Sequence, residues 1–544
     1  MHSWNDPIKR TLSGMLLAQA EMHPDKLALK IVDDSFTYQE LVGRSNAVAR
    51  SLIGIGFAKG DVIAILTDNC AEQVLIQFGA ARIGVIEVML NVAYRGSFLS
   101  HQLNVSEAKA MVVDAPLLDV VLQILPDVPS IRFVFVRGGS ALAQKIGSVQ
   151  ILSVDTLTSG FEYALHDIPD PLWTDPSTIV FTSGTTGPSK GALMSQNYLV
   201  THAELESFAW YRDPDDIFYS CGPLFHLAAK GVGVLGSIYR GVTCIQDDRF
   251  SVSQFWSRIR EEHCTATLLL GSMSMLLWGA EPSSDEGIDT IVGVPVPASL
   301  QEEMAKRWKC EFHGVYGLSE AAPVTASGPG IPLKPGSAGK VMDKYYDVRI
   351  FGDDDQELPA GSVGEVVIRP RRANVMFDGY YRMPEATAER WSNLWFHTGD
   401  LGKIDEDGYF FFVDRMKDYL RRRGENISSF EIEAAIARHP SVLEAAVVGV
   451  ASELTEEEVK AVVVLQPGMT LSYEDFTQHC IDNMPYFAVP RYVEFAADLP
   501  RTPSGKVLKH ELRSAGFEAC WDREAAGILL SGKGRRTPVG KQHA

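Results

Sequence analysis

The stretch Thr182-Ser183-Gly184-Thr185-Thr186-Gly187-Pro188-Ser189-Lys190-Gly191 gathers glycines, hydroxyls and one lysine into a segment suited to phosphate. Glycines admit positive φ, so successive amides can converge on an anion, while the Ser and Thr hydroxyls add donors and Lys190 a mobile charge. Ile179-Val180-Phe181 reads as a short buried strand leading in, and Asn197 onward can open a helix. The segment predicts a site for a nucleoside triphosphate.

It is not the common phosphate loop, which needs GxxxxGK followed by Ser or Thr. Ser189 stands where the second glycine should be, and Gly191 follows the lysine. Alone, a Ser/Thr/Gly stretch is more often a flexible surface loop. Its weight rests on the rest of the chain.

The length of 544 residues exceeds one ordinary domain, so two or more compact units are expected. A net charge of -19 sets aside nucleic acid as a partner, because a phosphate backbone calls for a basic surface. Any anionic ligand must meet a local basic pocket. Cys70, Cys221, Cys244, Cys264, Cys310, Cys480 and Cys520 show no CxxC pair and read as reduced core residues. The amino terminus, MHSWNDPIKR, lacks a secretory pattern, and no apolar run nears the roughly 18 residues of a membrane helix. A cytoplasmic protein with no membrane span is expected.

Helical and extended patterns alternate through the first four hundred residues, as in an α/β protein with mainly parallel sheets. Thr37 and Glu40 form a capping-box pattern, and the helix they open runs to Gly56 before the strand-like Asp61–Leu66. From about Val341 to Phe412 short β-branched runs alternate with Asp, Gly and Pro, which predicts a β subdomain. After Asp414-Arg415-Met416-Lys417-Asp418 a fresh α/β pattern begins. Ser428 and Glu431 suit a helix start, and strands are expected near 445–450 and 459–465. The expected organisation is a large domain over 1–416, a small mobile α+β domain over 417–527, and a disordered tail over 528–544.

Four further segments follow the opening one in order: Tyr316-Gly317-Leu318-Ser319-Glu320, Trp395-Phe396-His397-Thr398-Gly399-Asp400, Asp414-Arg415-Met416-Lys417 and Pro500-Arg501-Thr502-Pro503-Ser504-Gly505-Lys506. Together they resemble the adenylate-forming superfamily of acyl-CoA synthetases, peptide-synthetase adenylation domains and luciferases. The resemblance runs from about Thr37 to Leu512, and the chain looks most like the acid–CoA ligases. It implies ATP, Mg2+ and coenzyme A, a small carboxylic acid as substrate, and a monomer or homodimer. An adenylating enzyme that loads a carrier-protein pantetheine is the alternative, although no carrier pattern follows Lys506.

Activating a carboxylate with ATP brings two anions together, so the site must offset repulsion and stabilise developing charge. The resemblance gives Thr182, Ser183, Gly184, Thr185, Thr186, Gly187 and Lys190 to the triphosphate, Glu320 and Thr185 to Mg2+, and Tyr316 to stacking on adenine. Gly314 and Ser319 neighbour base and phosphate. Asp400 would accept from the ribose hydroxyls, with Arg415 opposite. Lys506 would reach carboxylate and α-phosphate together. Lys417 occupies the hinge position of the family, and Arg421, Arg423 and Gly424 would line the pantetheine passage after rotation. His226, in Pro223-Leu224-Phe225-His226, would shape the acyl pocket. Amino-acid-activating relatives carry Asp about there, which tilts this chain away from α-amino acids.

Overall fold

The computed structural model describes residues 9–139, 144–182, 189–279, 288–294, 298–416, 420–422, 425–427, 429–451, 457–484, 486, 488–501, 507–531 and 534–536. The chain divides into two compact units. The first holds residues 1–348, 368–397 and 407–410; the second holds 349–367, 398–406 and 411–544.

Two sheets organise the first unit. In the eight-stranded sheet, Pro176–Thr182, Ile86–Met89, Val62–Leu66, Ala110–Asp114, Phe133–Arg137 and Val149–Ser153 run parallel, with antiparallel strands Lys190–Ser195 and Gln144–Ile146 at the two edges. Val62-Ile63-Ala64-Ile65-Leu66 is buried at every position, as a central strand covered on both faces must be. The nine-stranded sheet is parallel from Glu311–Leu318 through Leu27–Ile31 and antiparallel at its two ends. Parallel neighbours need crossovers, which helices such as Ala71–Arg82 and Ala298–Trp308 supply. The capping box at Thr37 forms as the sequence predicts: its hydroxyl accepts from the Glu40 amide, and the Glu40 carboxylate accepts from the Thr37 amide.

The predicted β subdomain appears as a five-stranded sheet of Tyr346–Phe351, Gly364–Pro370, Trp391–Ser392, Trp395–Ile404 and Phe410–Arg415. Past it, Val442–Ala451, Glu457–Leu465, Tyr492–Ala496 and Trp521–Asp522 make a mixed four-stranded sheet. Ile432, Ile436, Phe476 and Cys480 pack one face beside Val447 and Val463, while Leu499 and Leu512 pack the other beside Val448 and Val462. The helix expected near Ser428 runs over Ser429–Ile436.

At the carboxyl end the sequence leads one to expect no structure from 528. Leu529–Ser531 and Gly534–Arg536 instead pair as a hairpin, and Leu530 packs against the core of the four-stranded sheet. That apolar anchor is what composition alone concealed. Residues 537–544 lie outside the described set.

Candidate active site

Strands Pro176–Thr182 and Lys190–Ser195, in which the opening segment begins and ends, pair antiparallel, and the second of them is a strand that sequence reading did not expect before the helix. Lys190 lies opposite Thr182, whose hydroxyl donates to the Lys190 carbonyl at 3.3 Å. The helix comes one strand later, at Gln196–Trp210, with Ser195 accepting from the Tyr198 amide at its start. Ser183, Gly184, Thr185, Thr186 and Gly187 lie outside the described residues. Ser189 is tied down twice: its carbonyl lies 3.0 Å from His101 Nε2, and its hydroxyl accepts from Gln102 at 3.1 Å.

A second hairpin carries Gly314, Tyr316, Ser319 and Glu320. Strands Glu311–Leu318 and Ala321–Ala326 pair antiparallel, with a bulge between Tyr316 and Leu318 and the turn at Ser319-Glu320. Gly314 is needed for packing: a Cβ there would stand 2.4 Å from the Ser337 carbonyl oxygen. The Tyr316 ring is buried and packs on Phe410, centroids 4.6 Å apart. Tyr198 donates to the Ser319 carbonyl at 2.9 Å, which ties this turn to the helix behind the opening hairpin.

Glu320 is 7% exposed, and Tyr380 donates to its carboxylate at 2.6 Å. Burial and the neighbouring carboxylate push the Tyr380 phenol well above its ordinary value, so it stays a donor. Lys190 Nζ stands 5.3 Å above the Tyr380 ring. Tyr380 belongs to a segment laid along the edge strand Lys190–Ser195, through Tyr381 amide to Gly191 carbonyl at 2.7 Å and Leu193 amide to Gly379 carbonyl at 3.0 Å. Lys190 and Glu320, 130 positions apart in sequence, thus share one tyrosine. Sequence reading missed Tyr380, although Gly379-Tyr380-Tyr381 offered a signal in its paired aromatics after a glycine. Among the described residues no cluster of three or more His, Cys, Asp or Glu could hold a metal by itself. One buried carboxylate still fits Mg2+, which usually takes one or two protein oxygens and completes its shell with phosphates and water.

In the second unit Asp400 is 1% exposed and ion-paired to Arg415 Nε at 2.8 Å, while the Arg415 side chain is 45% exposed. Gly399, at φ 71° inside the strand Trp395–Ile404, stands just before Asp400 and donates its amide to the Glu365 carboxylate at 2.9 Å. Asp414, next to Arg415, accepts from both the Ser429 amide and hydroxyl at 2.8 Å and so caps the helix Ser429–Ile436. Asp414, beside Arg415 in sequence, is therefore structural. Lys417, Arg423, Gly424 and Lys506 lie outside the described residues; Arg421 is described only as part of a short strand, Leu420–Arg422.

His226 precedes the short helix Leu227–Ala229, and burial lowers its pKa, which keeps the imidazole neutral. Asn69 fixes the segment before it: its carbonyl oxygen accepts from the Leu224 amide at 2.8 Å, and its amide donates to the Gly222 and Asp247 carbonyls at 2.9 Å. After His226 comes a π-helical turn, Lys230–Leu235. Lys230 is fully buried and pairs with Glu87 at 2.7 Å, so this wall carries no uncompensated charge. Neither Asn69 nor Glu87 was legible as a partner, because each lies some 140 or more positions away.

The family model described as AMP-binding enzyme matches residues 16–381, and that of the AMP-binding enzyme C-terminal domain matches 431–506. A crotonobetaine/carnitine–CoA ligase of Salmonella arizonae is 31% identical over 497 residues, spanning 88% of this chain and 93% of the relative. The crystal structure of ATP-bound MatB from Rhodopseudomonas palustris superposes with a TM-score of 0.81 at 27% identity, covering 93% of this chain and 99% of that one. For the fold alone, the anthranilate CoA ligase AuaEII in complex with anthranoyl-AMP gives a TM-score of 0.86 at 24% identity, over 95% of this chain and 99% of that one. With the hairpins, the buried Glu320 and the Asp400–Arg415 pair in place, the chain belongs to the AMP-binding enzyme family and is an adenylate-forming enzyme of the acyl-CoA synthetase type.

Proposed function

We propose that this enzyme joins a small carboxylic acid to coenzyme A in two steps within one fold. A carboxylate oxygen attacks the α-phosphorus of ATP and pyrophosphate leaves; the thiol sulfur of CoA then attacks the acyl carbonyl of the adenylate, and AMP leaves. The observation that carries the reading is the convergence of Lys190, Tyr380 and Glu320, which puts a cation and a buried carboxylate at the foot of the glycine-rich turn. Likeness to relatives named as CoA ligases supports CoA as acceptor.

In this reading Thr182 to Gly187 and Lys190 hold the triphosphate, and Gly314, Tyr316 and Ser319 hold the base side. Asp400 and Arg415 take the ribose. Glu320 and Thr185 would hold Mg2+, which screens the phosphate charge. Lys506 binds carboxylate and α-phosphate during adenylation, and Lys417 is the hinge that brings Arg421, Arg423 and Gly424 to the pantetheine. His226, uncharged, borders the acid. The protein works in the cytoplasm, where its seven cysteines, all free, stay reduced.

Pyrophosphate release with ATP and an acid panel, run with and without CoA, tests the proposal. The panel starts from crotonobetaine and carnitine, because of the relatives, and extends to aromatic and medium-chain acids. CoA-dependent AMP and thioester formation is expected for at least one acid. Pyrophosphate release that continues to thioester only on a carrier protein would favour the carrier reading, and silence across the panel with ATP would overturn adenylation.

A further inference from the structure

A cavity of about 590 Å3 lies in the first unit away from the residues assigned to ATP. Arg10, Trp173, Asn197, Lys344, Tyr345 and Arg372 line it. Its volume suits a small-molecule site, which typically spans roughly 300–1,000 Å3. Its charge is the opposite of the chain's.

Glu204 anchors the lining. Its carboxylate accepts from Arg10 at 2.6 Å, Lys344 at 3.0 Å and Tyr345 at 2.7 Å. Although burial opposes it, Arg10 and the other donors hold the Glu204 carboxyl down to about 2, so it remains ionised. Three cations, Arg10, Lys344 and Arg372, line the cavity, and the Glu204 carboxylate offsets one of them, which leaves an excess of two positive charges in a protein of net charge -19. Arg10 is engaged internally at every nitrogen, since Nε donates to Asn197 and Nη2 to Thr201 beside the Nη1 bond to Glu204. Lys344 and Arg372 are the outward pair. Both lie over the Tyr345 ring, at 4.7 and 5.3 Å, and Arg372 Nε is steadied by the Lys344 carbonyl at 3.2 Å. Two exposed cations held against the one Tyr345 ring offer phosphate a charged pair of donors. Trp173 adds a flat apolar wall, and its own backbone is fixed by the Asn197 amide at 2.9 Å.

We propose that this cavity binds a nucleoside phosphate, with phosphate on Lys344 and Arg372 and the base against Trp173. It is coupled to the catalytic hairpin by short physical links. Asn197 in the cavity is followed by Tyr198, which holds Ser319, and Val375 in the cavity is two residues from Phe377, whose amide donates to the Glu320 carbonyl at 2.9 Å.

Calorimetric titration of the full-length protein with ADP tests this. The wild type is expected to bind two molecules, one in the proposed ATP site and one here. Arg372→Glu with Lys344→Gln, both at exposed side chains, should retain one and weaken the other at least tenfold. Asp400→Ala should show the converse, keeping the site lost in the double variant. Trp173→Phe, milder for folding, should remove the ADP-induced tryptophan quenching that belongs to the second site. One ADP bound by the wild type, or two with unchanged affinities in the Arg372→Glu/Lys344→Gln variant, overturns the proposal. Two ADP bound by Asp400→Ala would instead fault the ribose role of Asp400 and leave the double variant to judge this cavity.

Discussion

Tyr380 shows how one side chain can set the state of two others. Its hydroxyl orients the Glu320 carboxylate, and its ring carries Lys190. A hydrogen bond to a charged group contributes about 1.5–3 kcal/mol, so Tyr380→Phe should lower the rate of pyrophosphate release about tenfold or more, since each ~1.4 kcal/mol is a factor of ten. It should also raise the Mg2+ concentration required; an unchanged rate at unchanged Mg2+ dependence would refute the positioning role. His202 and Glu206, one turn apart on Gln196–Trp210, give a stability prediction. Nε2 and Oε1 are 3.8 Å apart, and burial takes the imidazole from 6.5 down to about 3 and the carboxyl from 4.5 up to about 8. Both are neutral at pH 7. Because the native state holds fewer protons at His202 than the unfolded chain between about pH 3 and 6.5, that residue makes stability rise with pH; Glu206 holds more between about 4.5 and 8 and makes it fall, each by up to ~1.4 kcal/mol per unit. The slopes offset from 4.5 to 6.5, which leaves a loss of about 2 kcal/mol from 6.5 to 8 that belongs to Glu206. Urea denaturation of Glu206→Gln should show the variant gaining on the wild type by that amount across this interval, and a constant difference would count against the buried protonated carboxyl.

At the scale of elements, the hairpin Glu311–Ala326 depends on Gly314. A methyl group there meets the Ser337 carbonyl oxygen at 2.4 Å and Ala338 Cα at 3.0 Å, both backbone, so neither can rotate away. Overpacking of this kind costs about 1–3 kcal/mol. Gly314→Ala should lower stability by that amount in urea melts and raise KM for ATP several-fold, because displacing the strand moves Tyr316 and Ser319 with it. Wild-type KM in a destabilised variant would separate the strand's packing from any part in nucleotide binding. Elements of this kind were legible where the physics is local: the capping box at Thr37, the all-apolar strand at Val62 and the helix near Ser429 follow from neighbours in sequence. The edge contact of Gly379–Tyr381 along Gly191–Leu193 was not, since it joins segments by backbone hydrogen bonds that leave no mark on side-chain pattern. The strand Lys190–Ser195 was missed for a related reason: Lys190-Gly191-Ala192-Leu193 reads equally as the approach to a helix until its pairing with Pro176–Thr182 is known.

Across the whole molecule the two units hold different parts of the proposed chemistry, Glu320 in the first and the Asp400–Arg415 pair in the second. Asp414 ties Arg415 firmly to the body of the second unit through Ser429, and Lys509 reinforces that tie by donating to the Ser429 hydroxyl at 2.6 Å and pairing with Glu433 at 2.8 Å. A rotation hinged at Lys417, two residues after Arg415, carries Ser429 away from Asp414, so it must break these two hydrogen bonds and needs a link free to take up the dihedral change. Lys417→Pro is therefore expected to slow thioester formation by at least a hundredfold while pyrophosphate release in the absence of CoA stays within about threefold of wild type, because proline fixes φ near -65° and permits one orientation. Lys506→Ala should show the reverse: no acyl-adenylate from ATP and acid, but thioester from supplied acyl-adenylate and CoA. Measuring both half-reactions in both variants gives a crossed pattern if each step uses its own lysine. Parallel losses would mean that the two steps draw on one fixed arrangement, and domain alternation would fall with them.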